Sequence, residues 1–313
     1  MTESRSRRFV FALVVSACAL ALAVSASGAP PRATSVTLAA PVLHLAADAT
    51  GVAVHTHVAD GCDTILLWHP SGTPAKVAVQ NCQQPSTGAA VTSLALHGNR
   101  PAWVGYGGGN YREFTVSTTT NDGKPVFISF RTLPVENAAA VKWRVVPGSG
   151  VLAFEQNGTL WRIVPAGGGA CPYRQALRAC VRVPGSGTLL GVGGGRLLVR
   201  TASGVALLRQ NGVTVARFAD APEAVTDGTR VVELVNGRLV SGGRSIAVPK
   251  AAHLAGTTHG LAAVTAGGKT LVIRLRDGRT KSFGGFVAAL SDYGLYTATG
   301  RRLTFTPLGA LGL

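Results

Sequence analysis

Short apolar segments separated by glycine-containing turns recur along the chain, and residues 257–292 show this pattern most regularly. Apolar runs at 261–265 and 270–275 flank Ala-Gly-Gly, and Asp277-Gly278 leads into a third run at 279–283. Glycine-containing turns between short β-prone runs are typical of β-hairpins. The stretch therefore predicts three consecutive antiparallel strands.

The same pattern occurs seven times along the chain. A turn glycine precedes the second strand of each unit, at Gly51, Gly98, Gly150, Gly195, Gly228, Gly260 and Gly294. The predicted third strands span 63–69, 112–117, 159–164, 205–209, 238–241, 270–275 and 303–307. Consecutive turn glycines lie 32 to 52 residues apart, close to the length of a four-stranded antiparallel blade.

Four Asn-Gly or Asp-Gly pairs fall between predicted strands, at 157–158, 211–212, 236–237 and 277–278. These residues tolerate the positive φ angles of tight hairpin turns.

The last unit ends after its third strand, whereas the segment 35–40 near the N-terminus has no other strand to pair with. Pairing these two ends would close a ring without a long unpaired edge.

The sequence thus predicts an all-β fold, a seven-bladed β-propeller of four antiparallel strands per blade that is closed by the N-terminal strand. A six-bladed ring with one misassigned unit and two tandem β-sandwiches are the alternatives. Composition agrees with many short strands and tight turns, because the 313 residues include 40 glycines and 16 prolines and only 14% are charged.

The N-terminus has the pattern of a secretory signal. Arg5, Arg7 and Arg8 precede an apolar run at 9–26, and Pro30 and Pro31 follow it. We expect residues 1–28 to be a signal peptide or an uncleaved membrane anchor, 29–34 a short linker and 35–313 the propeller domain. The protein would then be exported, to the cell envelope or the extracellular space, with membrane contact only through an uncleaved N-terminal segment.

Export places the remaining four cysteines in an oxidising compartment, where they are expected to pair. Cys62 and Cys82 lie almost symmetrically about one hairpin turn, and Cys171 and Cys180 bracket a short loop. Of the three possible connectivities, we predict Cys62 with Cys82 and Cys171 with Cys180.

The chain is strongly basic, with 30 Lys and Arg against 14 Asp and Glu and a net charge of +16. Without the first 28 residues, which contain Glu3, Arg5, Arg7 and Arg8, 27 basic and 13 acidic residues leave +14. Such a charge attracts polyanions at long range. The chain contains no run of five or six like charges, which a nucleic-acid-binding tail would have. The expected partner is therefore a protein or an anionic envelope polymer. A diffuse basic surface with no specific polyanion partner is the alternative.

With these repeats, the chain resembles the broad group of secreted bacterial propellers described as WD40-like or TolB-like. The resemblance covers about residues 35–313 and is architectural. Leu67-Trp68-His69 and Leu160-Trp161-Arg162 stand where WD40 repeats end their third strands with Trp-Asp. The resemblance implies a fold and a role as a scaffold, and it assigns no residue roles.

His55 and His57 are the candidate metal ligands. Their spacing puts both imidazoles on one side of a strand, and His44 and His69 belong to the same unit. A metal needs three or four convergent ligands, which strand order alone does not supply. We therefore predict no metal site and expect these histidines to pack between blades or at strand ends.

Other motifs favour structure over chemistry. The glycine-rich segments 105–110 and 191–196 lack the last glycine of dinucleotide-binding loops and precede no helix, so no cofactor is expected. Residues 120–127 loosely resemble one sialidase aspartate box. Four acidic residues of one unit have spacings that suit turns and a solvated edge, namely Asp220, Glu223, Asp227 and Glu233. No nucleophile elbow occurs, so no catalytic residue is assigned.

Trp103, Tyr106, Tyr111 and Arg112 surround one glycine-rich turn and form the candidate ligand contact, because aromatic rings and guanidinium groups can stack on a sugar or a peptide side chain. The leading hypothesis is an exported, non-catalytic propeller that binds a protein or envelope polymer through loops on one rim, with the basic surface helping recruitment. The loops of the first three units are where we look for this function. The alternative is an enzyme acting on polysaccharide or another envelope substrate. Two or more carboxylates, or three histidines, meeting in the axial cleft would favour the enzyme. A scaffold with no small ligand is a third possibility.

Overall fold

The computed structural model describes residues 33–58, 61–82, 88–120, 122–164 and 180–313. These residues form 28 β-strands and two short 3₁₀ helices. The strands are arranged in seven four-stranded antiparallel sheets, which confirms the seven-bladed propeller and excludes the six-bladed and tandem-sandwich alternatives. Residues 1–28, the predicted signal or anchor, lie outside the described residues. No helix within the described ranges is long and apolar enough to cross a membrane.

Each of the first four blades runs outward from the central axis in chain order. Blade 1 contains β2 (Val42–Ala47), β3 (Val52–His57), β4 (Asp63–Trp68) and β5 (Ala75–Gln80); blade 2 contains β6 (Ala90–His97), β7 (Arg100–Gly107), β8 (Tyr111–Thr119) and β9 (Pro125–Pro134); blade 3 contains β10 (Trp143–Val145), β11 (Leu152–Gln156), β12 (Thr159–Ile163) and β13 (Cys180–Ser186); blade 4 contains β14 (Thr188–Gly193), β15 (Arg196–Thr201), β16 (Gly204–Arg209) and β17 (Thr214–Phe218).

The remaining blades follow the same order, except that the N-terminal strand completes the last blade. Blade 5 contains β18 (Glu223–Thr226), β19 (Val231–Val235), β20 (Arg238–Ser241) and β21 (Arg244–Ala247); blade 6 contains β22 (His253–Thr258), β23 (Leu261–Ala266), β24 (Lys269–Arg274) and β25 (Thr280–Gly284); blade 7 contains β26 (Val287–Leu290), β27 (Gly294–Thr299), β28 (Arg302–Pro307) and β1 (Thr34–Thr37). The 3₁₀ helices are Val135–Ala140 and Leu308–Ala310.

The second strand of each blade is largely buried on both faces because blades pack on either side of it. In β23, Ala262 and Val264 belong to the cluster shared with blade 5. Ala263, on the opposite face, belongs to the cluster shared with blade 7. A strand buried on both faces reads as a continuous apolar run instead of an alternating one. The apolar segments of the sequence are therefore these inner strands.

The fourth strands differ because they have one strand neighbour and face solvent. In β25, Thr280, Lys281 and Ser282 are exposed, and β17 is exposed at three of its five positions. The outer strands therefore lack the continuous apolar runs of the second strands.

Ring closure follows the predicted pairing. β1 lies antiparallel to β28, with Val36 opposite Leu303. Beyond this pair, the Leu38 N–H donates to the Arg301 carbonyl oxygen at 2.8 Å, and Arg301 Nε donates back to the Leu38 carbonyl oxygen at 2.9 Å. Residues from the two ends of the chain therefore complete one blade.

Two of the four predicted turns have both central residues at positive φ, as a type I′ hairpin requires. These are Asn157-Gly158, with φ of 50° and 83°, and Asn236-Gly237, with 50° and 71°. At 211–212 and 277–278 only the glycine has a positive φ, 84° and 74° respectively.

One glycine is needed where two inner strands approach closely. Gly256 in β22 has a φ of +138°, and a Cβ atom there would lie 2.6 Å from the Leu290 carbonyl oxygen of β26. Neither the backbone angle nor the gap between blades 6 and 7 suits another residue.

We expect Gly256→Ala to lower the free energy of unfolding by about 2–4 kcal/mol, because it combines backbone strain with a clash against main chain. Urea denaturation measures this. Gly284→Ala, in β25 of the same blade, is the matched control, since its Cβ would meet nothing within 4 Å and should change stability by less than about 1 kcal/mol. Equal losses in the two variants would contradict the close-approach explanation.

Candidate functional site

The strand order gives the propeller two different rims. The upper rim carries the turn between the second and third strands of each blade and the connections from one blade to the next. The lower rim carries the turns between first and second strands and between third and fourth strands. The two groups of candidate residues from the sequence lie wholly or partly at the upper rim. They are His55 and His57 in blade 1, and Trp103, Tyr106, Tyr111 and Arg112 in blade 2.

A hydrogen-bonded histidine–aspartate cluster occupies the upper rim of blade 1. His55 Nε2 lies 2.8 Å from Asp63 Oδ1, and His57 Nδ1 lies 3.1 Å from the same oxygen. Asn81 Nδ2 donates to Asp63 Oδ2 at 2.7 Å. His55 and Asp63 are almost fully buried, so Asp63 is a buried carboxylate that receives three hydrogen bonds.

His44 extends this cluster, because its Nδ1 lies 2.9 Å from His55 Nδ1 and the two rings stack at 5.2 Å between centroids. A neutral imidazole has one N–H and one acceptor nitrogen. If His55 donates from Nε2 to Asp63, its Nδ1 is the acceptor and His44 Nδ1 the donor. The contact therefore requires one donor and one acceptor nitrogen, because two N–H groups facing each other would repel.

Burial changes the titration of this cluster. Burial and the neighbouring His55 lower the pKa of His44, and Asp63 only partly opposes them. For Asp63, burial alone would raise the pKa, but hydrogen bonds from His55, Asn81 and His57 outweigh it and lower the pKa. Asp63 therefore remains ionised over the pH range in which free histidine titrates.

A disulfide closes the hairpin beside this cluster. Cys62 and Cys82 are bonded, and they are the chain neighbours of Asp63 and Asn81, as the symmetry of the hairpin predicted. Cys180 is buried at the start of β13, whereas Cys171 lies outside the described residues. The pairing of Cys171 with Cys180 therefore stays a prediction.

The histidines of blade 1 do not converge on one point. His55 uses both ring nitrogens within the cluster, and His69 lies at the lower rim, where its Nδ1 donates to the Thr50 carbonyl oxygen at 2.6 Å. Within the described ranges, no group of three or more His, Cys, Asp or Glu residues has the arrangement of a metal site. The cluster is a set of hydrogen bonds around the buried Asp63 carboxylate.

The residues of the candidate ligand contact in blade 2 lie on opposite faces of the sheet, because successive side chains of a strand alternate between its faces. Trp103 is buried against blade 1 and donates from Nε1 to Gln80 Oε1 at 2.9 Å. Tyr106 faces blade 3, and the Arg112 guanidinium lies over its ring at 4.4 Å from the centroid. Tyr111 is 60% exposed. The structure thus brings Tyr106 and Arg112 together and places Trp103 on the opposite face.

Tyr106 and Arg112 line a cavity of about 570 Å³ at the upper rim between blades 2 and 3, hereafter the blade 2–3 cavity. Its walls combine apolar or aromatic side chains with three cations and one carboxylate. The residues are Thr92, Val104, Tyr106, Arg112, Phe114, Val135, Ala138, Ala139, Val141, Lys142, Trp143, Arg144, Glu155 and Thr188.

Sequence reasoning missed most of these residues. They come from positions 92–114, 135–155 and 188, and only the packing of neighbouring blades brings them together. Asp63 was also missed as the partner of the histidines, although it faces His57 across the predicted hairpin. That register was a usable signal.

A second cavity, of about 250 Å³, lies in the axial channel. Three aspartates line it where inner strands end at the lower rim, namely Asp48, Asp227 and Asp292. Asp48 Oδ1 accepts from the Thr50 and Gly51 backbone N–H groups, and Asp227 Oδ1 accepts from those of Thr229 and Arg230. These two carboxylates close turns between first and second strands.

The other acidic candidates of blade 5 have individual partners or surroundings. Asp220 pairs with Arg200 at 2.6 Å and Glu223 with His253 at 2.7 Å. Glu233 departs from the expected solvated edge, because it is buried in β19 and burial raises its pKa.

The remaining motifs form turns. Gly194 and Gly195 have φ of 52° and 72° between β14 and β15, and Gly108 has φ of 110° between β7 and β8. In the segment resembling an aspartate box, Thr120 and Lys124 close a turn through a 2.8 Å backbone hydrogen bond. Asn121 of that segment lies outside the described residues.

Neither a protein-family model nor a curated protein matches the chain. Solved structures share its fold. A chain of the mitotic checkpoint complex is 12% identical with a TM-score of 0.55, and the match covers 97% of this chain and 99% of that one. The WD40 β-propeller domain of Doa1 is 12% identical with a TM-score of 0.48, covering 88% of this chain and 96% of the domain.

A bacterial surface protein is also similar. PorZ, a component of the type-IX secretion system of Porphyromonas gingivalis, is 10% identical with a TM-score of 0.49 over 85% of this chain. The match spans only 37% of the PorZ chain. At such identities the similarity concerns the fold alone.

The lowered pKa of His44 predicts a pH-dependent stability. Below about pH 6.5 the unfolded chain binds a proton at His44 that the folded protein binds only at lower pH, so the free energy of unfolding should fall as the pH decreases from 6.5. His44→Gln should reduce this slope. Urea denaturation at about pH 7.5, 6.5 and 5.5 measures it.

His97→Gln is the control for this prediction, because His97 is exposed, lies in blade 2 and makes no ion pair among the described residues. It should leave the slope between pH 6.5 and 5.5 unchanged. A slope that is the same in the wild type and in His44→Gln would show that the His44–His55 contact does not couple proton binding to folding.

Proposed function

We propose that the protein is an exported, non-catalytic β-propeller scaffold that binds a protein or an anionic envelope polymer through its upper rim. Binding takes place at the blade 2–3 cavity. The propeller fold is typical of binding scaffolds, but fold alone does not assign a function. The proposal therefore depends on the chemistry of this cavity.

The observation that carries the proposal is the juxtaposition of Tyr106 and Arg112 in the lining of the blade 2–3 cavity. Concave sites with apolar walls and a few convergent polar groups are typical of ligand binding. Buried aromatic residues and arginine also contribute disproportionately to interface energies. Arg112, Lys142 and Arg144 supply three cations to the lining against the single carboxylate of Glu155.

The net charge of the chain supports an anionic partner. A charge of +16 raises the rate of encounter with acidic surfaces and polymers, while close contacts decide which of them is retained. Export remains part of the proposal and is supported by the pattern of residues 1–28.

The axial aspartates bear on the enzyme alternative. Their number favours it, because polysaccharide hydrolysis requires two carboxyl groups of different protonation. Their hydrogen bonds favour a structural role, since Asp48 and Asp227 bind backbone N–H groups of turns and Asp292 accepts from Thr258 Oγ1. A binding scaffold accounts for these contacts without a catalytic pair.

We expect Tyr106→Ala and Arg112→Ala each to weaken retention of the partner by about tenfold, because the stacked pair would lose its contact surface and its positive charge. Pull-down from cell-envelope extracts at about 50 and 300 mM salt, followed by quantitative detection, measures this. Retention that disappears entirely at the higher salt would reduce the interaction to general charge attraction.

Tyr111→Ala and Arg238→Ala are the matched controls. Tyr111 is exposed outside the cavity lining, and Arg238 lies in blade 5, where its Nε donates to Ser245 Oγ. Both variants should retain the partner like the wild type. Losses equal to those of the cavity variants would place binding elsewhere on the surface.

A further inference from the structure

The walls of the blade 2–3 cavity distinguish between the two partner classes left open above. We infer that the occupant is a protein segment that inserts one aromatic or large aliphatic side chain between the blades and holds flanking carboxylates over the basic mouth. This inference rests on the proposed function and names the partner of the same site.

The aromatic residues of the cavity form a walled recess. Phe114 is 8% and Trp143 7% exposed, and Phe114 lies 6.1 Å from both the Trp143 ring and the Tyr106 ring, in tilted arrangements. A sugar ring is recognised on an open aromatic face. Here two rings are buried, and Arg112 covers one face of the third.

The 3₁₀ helix Val135–Ala140 adds short apolar side chains to the lining, namely Val135, Ala138 and Ala139. Ala138 packs against the cluster that contains Phe114 and Trp143. The volume of about 570 Å³ lies within the range of cavities that enclose a small ligand. A side chain that enters the cavity would contact mainly apolar atoms.

The cations of the lining favour a partner segment with acidic residues beside the inserted side chain. The Glu155 carboxylate is buried and already accepts from the Gly158 and Leu189 N–H groups, and Arg144 Nε lies 3.7 Å from it. Lys142 is exposed and makes no ion pair among the described residues. Lys142 therefore brings to the lining a positive charge that complements carboxylates and opposes a basic segment.

Fluorescence anisotropy with labelled peptides tests the inference on the full-length protein. The probe is Gly-Asp-Glu-Phe-Glu-Asp-Gly. The comparison peptides replace Phe with Ala, or all acidic residues with their amides, and oligogalacturonate is the carbohydrate probe. We expect each peptide change to weaken binding by about tenfold or more, and oligogalacturonate to bind more weakly than the first peptide.

Two variants connect the binding to the cavity. Ala139→Trp should block the cavity from its exposed helical wall, and Lys142→Glu should weaken binding of the acidic peptide while sparing the amide peptide. Ala219→Trp, at an exposed position in the connection between blades 4 and 5, is the control and should bind like the wild type. Thermal unfolding of each variant shows that the fold is retained.

Equal binding of the Phe and Ala peptides, or an Ala139→Trp variant that binds normally, would overturn the inference. Oligogalacturonate binding that depends on Tyr106 and Arg112 would also overturn it, but would leave the proposed function intact. Binding of no probe contradicts the peptide anchor, whereas the proposed function fails only if the cavity variants also retain their envelope partner normally.

Discussion

Burial of both faces of every blade is the constraint on which this structure depends. Each of the seven apolar clusters is built from residues of two adjacent blades, and the cluster between blades 7 and 1 contains Trp68, Tyr296 and Phe305. An open row of such sheets would expose one apolar face at each end. Only a closed ring removes both, and the β1–β28 pair connects the chain ends within it.

Closure leaves the rims free to differ from blade to blade. The strand interiors must remain apolar to pack, but a turn at a rim must satisfy only its own backbone. Blade 1 uses this freedom for a buried carboxylate surrounded by imidazoles and clamped by the Cys62–Cys82 disulfide. Blades 2 and 3 use it for a cavity with a basic mouth. The two features share one rim, so a partner bound at the cavity would lie on the side of the ring that carries the histidine cluster.

The sequence predicted strands better than sites. A strand depends on residues close together in the chain, whereas a site combines residues that are far apart in it. Residues 261–283 were identified as strands from local spacing, and they form β23, β24 and β25 with the expected hairpin pairing. The Cys62–Cys82 pair was accessible for the same reason, since one hairpin contains both residues. Tyr106 and Arg112 lie six positions apart on facing strands, so their proximity could also be anticipated.

Contacts between blades could not be read from the chain. Trp103 is close to Tyr106 in sequence, yet the pleat sends it toward blade 1, and which face meets which neighbour depends on the completed ring. The sequence by itself determined the number of blades, their strand order and the closing strand, because periodic apolar runs and turn residues specify hairpins locally. Only the tertiary structure decided that Tyr106, Arg112, Lys142 and Trp143 share one cavity, because that arrangement results from packing two sheets whose residues no local rule connects.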